Sequence, residues 1–283
     1  MKKRNAYIWV MRLLMWLAAG ITAALTLFLL GYVLIKGLPN ISWELLSTKP
    51  SYLRGTVGIL PDILNTLYII FTTLLIVLPL GVGAAVYLTE YATNKRLVGI
   101  IEYAAETLSG IPSIIYGLWG FYTLRPVIMA LDISEQGSGI LTASLVLAIM
   151  IIPYASSLSA EFIKMVPNDL KEGAYSLGAT HAEVVRKVVF PVAGSGIFSS
   201  YVLAIGRALG ETMTVTMLIG NTNNIPESIT STGNSMASVI ANQFGEASDL
   251  RLSSLIAIGL VLFLITALIN MVGKIMIKRA RIS

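Results

Sequence analysis

The chain reads as an all-α polytopic membrane protein, a bundle of six transmembrane helices. Composition is the first sign. Of 283 residues, 55% are hydrophobic and 12% charged, with a mean hydropathy of +0.79. Soluble domains run nearer 45–50% apolar and about 25% charged. An ordinary soluble enzyme is therefore excluded, and so is a disordered chain, which needs low hydrophobicity and high net charge. The second sign is length: six apolar stretches are each near or above the ~20 residues that cross a bilayer. The third is the missing period-two alternation, which favours helices over a β-barrel.

The stretches run from about Met11 to Ile35, Ile63 to Leu88, Ile100 to Ala130, Ile140 to Leu158, Val192 to Ile219 and Leu252 to Ile277. Pro79 lies inside the second. Gly110-Ile111-Pro112-Ser113 interrupts the third, and Pro153 stands near the end of the fourth. Lys2-Lys3-Arg4 before the first stretch has the look of a signal peptide. The apolar run is too long for an h-region of about 7–15 residues and no small-x-small site follows, so an uncleaved helix is expected.

Orientation follows from the basic residues. With the N-terminus inside, the inner set is Lys2, Lys3, Arg4, Arg12, Lys95, Arg96, Lys164, Lys171, Arg186, Lys187, Lys274, Lys278, Arg279 and Arg281. The outer set is Lys36, Lys49, Arg54, Arg125 and Arg251, and Arg207 alone falls inside a span away from its ends. Basic residues collect on the cytoplasmic side, which puts both termini inside and demands an even number of spans. The net charge of +5 then reports orientation rather than nucleic acid.

Residues 1–62 hold the first helix and an external segment; 63–283 hold a core of five helices with an internal loop at 159–190. A second external segment, 220–251, is rich in Asn, Ser and Thr. Within it Met236, Val239, Ile240 and Phe244 recur at helical spacing, as in a short interfacial helix, though a plain loop reads equally well.

In the internal loop, Asn168 or Asp169 is placed to cap a helix starting near Leu170, and Gly178 to end it. A second amphipathic stretch follows, and Pro191 opens the fifth span, where a missing N–H costs nothing. Such a helix between two boundaries is a lever that a partner can grip; a solvated loop is the plainer alternative. His181 reads as a surface residue of this loop with no further role.

The fifth span carries Gly206-Arg207-Ala208-Leu209-Gly210-Glu211-Thr212. Arg207 and Glu211 are four apart, on one face of a continuous helix, so they can pair. A charge at mid-membrane costs about 2.5–3.5 kcal/mol on insertion scales and normally faces a bundle interior or a water-filled path. Two readings stay open: a self-neutralising pair that fixes packing, or a guanidinium lining an anion path, with Glu211 preventing a trap. Planar donors suit oxyanions of the phosphate type. Gly206 and Gly210 permit close helix approach. The break at Ser109–Ser113 either kinks the third span for packing or lies beside the path. Glu102 and Glu106 sit near the inner face.

With no cysteine and one histidine, the chain has neither a disulfide scaffold nor a paired metal or His-based catalytic site, so no metal, cofactor or enzymatic activity is expected. A membrane enzyme using Glu102, Glu106 or Glu211 is the remaining alternative of that kind. No phosphate-cradling Gly-x-x-x-x-Gly-Lys-Ser/Thr occurs, so ATP hydrolysis would come from a partner.

Glu172-Gly173-Ala174, then Gly178, Val188 and Phe190-Pro191, resembles the EAA loop of ABC importer permeases, with its spacing intact and Gly173, Val188 and Phe190 as mild departures. The resemblance implies a type I importer permease fold in which Glu172, Gly173, Ala174 and Gly178 sit on a coupling helix docked to an ATPase subunit. Glu106–Gly117 and Gly206–Met213 further resemble the paired permeases of the high-affinity phosphate importer, the Pst family. Ile41–Leu46 and Gly58–Leu67 resemble its PstA member, which is favoured; Gly210–Val215 and Ile240–Ala247 lean to PstC. The family implies a heterodimer of permeases in the cytoplasmic membrane, an ATPase dimer inside and a phosphate-binding protein outside on 37–61 and 220–251. It places Arg207 and Glu211 in the substrate path, and we add Thr212 and Ser113. Alternatives are an importer for phosphonate, molybdate or tungstate, or an ion-coupled carrier.

Overall fold

The computed structural model describes residues 2–50, 58–247 and 249–280. Arg54 and Arg281, both used for orientation, lie outside the described residues, and so does part of the first external segment. The described helices are α1 (Lys2–Gly37), α2 (Trp43–Ser47), α3 (Leu60–Val86), α4 (Lys95–Ser109), α5 (Ser113–Trp119), α6 (Arg125–Ala130), α7 (Ile140–Lys164), α8 (Asn168–Ser176), α9 (His181–Val184), α10 (Phe190–Leu209), α11 (Met213–Leu218), α12 (Met236–Gln243) and α13 (Asp249–Ala280).

Among the described residues, five helical runs are long and apolar enough to cross a membrane: Ile8–Asn40, Leu60–Tyr91, Ile140–Lys164, His181–Leu209 and Arg251–Lys278. The expected third span is not a single helix. It is α4, a break at 110–112, α5, a π-turn at Gly120–Leu124 and α6. Pro112 supplies no N–H and pushes the residue before it out of the helical region, so α4 ends at Ser109. The expected fifth span also stops early, at Leu209, and resumes as α11.

The core is built on α7, which packs on α3 and α10 and carries a fully buried row including Ile140, Leu147 and Ile151. Ser144 Oγ on this helix donates to the Ile69 carbonyl of α3 at 3.3 Å. Pro79 lies inside the continuous α3 near Tyr201 of α10, whose buried hydroxyl donates to the Leu78 carbonyl at 3.2 Å. A hydroxyl in hydrocarbon needs such a partner. The close approach of α10 and α13 rests on Gly273, where a Cβ would stand 2.6 Å from Val202. Gly206, expected in that role, leaves 3.6 Å to Asn270, an ordinary contact. α1 packs on α13 and exposes most of its apolar surface.

The second external segment is pinned rather than loose. Ile140 and Leu141, at the start of α7, donate their amides to the Ser231 and Ile229 carbonyls at 3.0 and 2.8 Å. These are donors that a helix start leaves without intrahelical partners. Within the segment, Ser235 and Ser238 form a reciprocal capping box for α12. α12 is a helix, and of its predicted apolar face Met236 and Val239 are buried against α13 while Phe244, just past its end, is exposed.

The inner loop forms as α8, α9 and a π-turn at Val185–Val189 that runs into α10. Asn168 is the first residue of α8 and makes no cap; Pro167 precedes it. Gly178 does end it, at a left-handed φ of +86°. Pro191 does not open a free helix start. It follows the π-turn, because the Lys187 carbonyl has no proline N–H to accept and the turn before it widens. Leu124, at the end of the π-turn of residues 120–124, likewise stands two residues before Pro126.

Candidate functional site: two broken helices around one arginine

The breaks at 110–112 and 210–212 lie together, with α5 packed on α11. Thr214 Oγ1 donates to the Ser113 carbonyl at 2.9 Å, tying the two restarts. Gly117 allows this approach: a Cβ there would stand 3.1 Å from the Thr214 Cα and 2.9 Å from the Met217 sulfur. Tyr116 Oη donates to the Leu108 carbonyl at 2.9 Å, across the break in its own segment.

Arg207 occupies the last turn of α10, where a cation suits the helix dipole. Its Nη2 donates to the Ser109 carbonyl, at the end of α4, at a long 3.5 Å. Its guanidinium lies 5.2 Å from the ring centroid of Tyr154 on α7. The side chain is half-buried.

The i,i+4 pairing with Glu211 is not formed. Four-residue spacing puts side chains on one face only while the helix continues, and α10 ends at Leu209. Glu211 Oε1 instead accepts the Thr214 amide at 3.2 Å and caps α11. Thr212 Oγ1 donates to the Gly210 carbonyl at 3.2 Å, within the break. Gly210 is a helix terminator here, not a packing face. The junction thus brings together Arg207, Glu211, Thr212 and the backbone of Ser113. Tyr154, Tyr116 and Ser109 complete it; nothing in their spacing pointed to Arg207, because they come from other helices.

Beside this junction, a cleft of about 380 Å³ opens between α3, α4 and α7. Leu108 and Pro153, neighbours of the Arg207 partners, line it, as do Glu102, Glu106, Glu161 and Lys164. Glu102 accepts from Lys164 Nζ at 2.6 Å, partly exposed.

The second group lies on and beside α8. Glu172, Gly173 and Gly178 are exposed and Ala174 is half-buried. Open space surrounds Gly173 and Gly178, where a Cβ would meet nothing within 4 Å. Met165 and Leu177 expose 74% and 91% of their surface beside them. His181 is not a free surface residue: it is half-buried, with Nε2 2.9 Å from the Glu90 carbonyl.

Residues 77–282 match the profile of a family described as binding-protein-dependent transport system inner membrane components. The chain is 40% identical over 286 residues to the phosphate transport system permease protein PstC of Haemophilus influenzae, covering 90% of each. It is also 40% identical over 288 residues to the PstC of Mesorhizobium japonicum, covering 91% of this chain and 87% of that one. Among solved structures, the MetNI methionine ABC transporter in inward-facing conformations superposes with a TM-score of 0.58 at 20% identity. That match covers 79% of this chain and 94% of that one. An amino acid ABC transporter chain gives 0.55 at 17% identity, with 78% and 92% covered. At these identities the likeness speaks for the fold, that of an ABC importer permease.

Proposed function

The chain belongs to the family of binding-protein-dependent transport system inner membrane components, and from that premise we propose that it is a permease subunit of an ATP-driven importer of inorganic phosphate. One observation carries the reading. Arg207, the basic residue of the apolar stretch from Val192 to Ile219, stands half-buried at the meeting point of two broken helices, in a chain 40% identical to phosphate permeases over nine-tenths of its length. The names of the relatives favour the PstC member over the PstA member suggested by Ile41–Leu46 and Gly58–Leu67.

Arg207 uses one N–H on a long contact and keeps its other donors for an anion. Planar donors match phosphate oxygens in parallel pairs. Tight capture would stop flux, since a conducting site must release what it binds. Glu211, just beyond the end of α10, supplies opposing charge. Thr212 and Ser113 line the same junction.

The work is alternating access. A phosphate-binding protein docks on 37–61 and 220–251, a second permease completes the path, and a cytoplasmic ATPase dimer grips α8 through Glu172, Gly173, Ala174 and Gly178. ATP drives the change only if it binds the two states unequally. Both termini face the cytoplasm, with 1–62 an added helix and 63–283 the transport core.

Reconstitution of the complex with its ATPase tests this. ATP-dependent phosphate uptake is the expected result. Stronger competition by phosphonate, molybdate or tungstate would displace the substrate, and flux that ignores ATP would remove the importer itself.

A further inference from the structure

The covalent chain joins α8 to α7 on one side and to α9 and α10 on the other. A third attachment is made by side chains alone. Lys171 Nζ donates to Glu90 Oε1 at 2.6 Å, and the two side chains are only 16% and 7% exposed. Glu90 lies on the π-turn Tyr87–Tyr91 that ends the α3 segment. His181 Nε2 donates to the Glu90 backbone carbonyl at 2.9 Å. Tyr175 Oη, on α8, is 2.6 Å from His181 Nδ1, and the Tyr91 ring stands edge-on to the imidazole at 4.7 Å. One tautomer satisfies the whole set: Nε2–H donates to the carbonyl while Nδ1 accepts the tyrosine proton.

We propose that this clasp makes Glu90, Lys171 and His181 positioning residues that carry the movement of α8 into α3. Lys171 and Glu172 are neighbours with opposite tasks, one turned inward and largely buried, the other exposed. A buried ion pair is weak evidence for stability, since apolar residues often serve as well. What it supplies here is a fixed distance between two elements that share no chain connection nearby. Without it, α8 would drag α7 and α10 and leave α3 to follow through packing. With it, three of the spanning runs start from one grip. π-turns recur at functional bends, and this clasp has one at each end, Tyr87–Tyr91 and Val185–Val189.

The inference rests on the importer reading and is tested in the assembled complex in proteoliposomes, reading cargo moved per ATP hydrolysed. Lys171→Met should co-purify with the ATPase at wild-type yield and hydrolyse ATP at the wild-type rate. Cargo per ATP should fall about tenfold or more, within the range of site-to-site coupling energies. The charge-swapped pair Glu90→Lys with Lys171→Glu should restore part of it. The sequence has no cysteine, so Glu90→Cys with Lys171→Cys, joined by a short bis-thiosulfonate, gives an independent arm: the linked complex should transport.

Four results would overturn the relay: unchanged cargo per ATP in Lys171→Met; uptake and hydrolysis falling together with complex yield; failure of the cysteines to link; or linked protein that transports only after reduction. The function is judged on the wild type instead. If another anion replaces phosphate, the ratio is read with that anion, whereas ATP-independent wild-type flux overturns both.

Discussion

Two junctions in this chain carry charge, and they hold it in opposite ways. At the inner end, Lys171 and Glu90 meet at 2.6 Å and shield each other from solvent. At the broken helices, Arg207 has a carbonyl at 3.5 Å and an aromatic face at 5.2 Å, and its expected counter-ion is engaged with a backbone amide. A charge that is neutralised and buried fixes geometry. A charge left with neutral, weak partners in an apolar surround is one whose donors are free for something that arrives.

That contrast can be broken most sharply at Arg207. Arg207→Ala should cut phosphate uptake roughly 10- to 100-fold, the worth of a charge-assisted bond at about 1.5–3 kcal/mol, while complex yield holds. Normal uptake in a vesicle assay would make the residue a packing element. Next comes Glu172→Lys, which reverses charge on the exposed face of α8. It should weaken ATPase-subunit association by about tenfold, as an interface anchor worth more than 1 kcal/mol does, read by co-purification.

Smaller effects sharpen the comparison. Gly178→Ala forces a left-handed φ of +86° on a residue with a Cβ. The strain is about 1–2 kcal/mol, and open space around the site means that no clash adds to it. Limited proteolysis of the loop should rise modestly. Glu211→Gln keeps an oxygen for the Thr214 amide and removes only charge. Uptake should then show a lower KM with a lower maximal rate, as the anion lingers. A raised KM would assign Glu211 to binding instead.

The sequence displayed these two regions unequally. Hydropathy located the spans, and Gly178 with its motif located α8, because a terminator and a spacing are local properties. Pro112 announced the break in the third span, which the structure shows at 110–112, but not the second interruption at the π-turn of residues 120–124. The Arg207–Glu211 pair failed for a related reason: helical spacing was assumed through Gly210, where the helix stops. Tyr154 and Ser109 came to Arg207 from α7 and α4, and Lys171 met Glu90 across 81 positions. Contacts between helices have no signature in one chain's periodicity. His181 looked solitary because its partners are a carbonyl and two rings.

Water access to Arg207 tests the central claim most directly. In this cysteine-free sequence, Arg207→Cys can be probed with a small water-soluble thiosulfonate during ATP turnover, with the exposed Glu135→Cys as the positive control. Labelling in at least one nucleotide state is the predicted result. A thiol that stays unmodified in every nucleotide state, while the control reacts, would mean a dry seam and contradict the account.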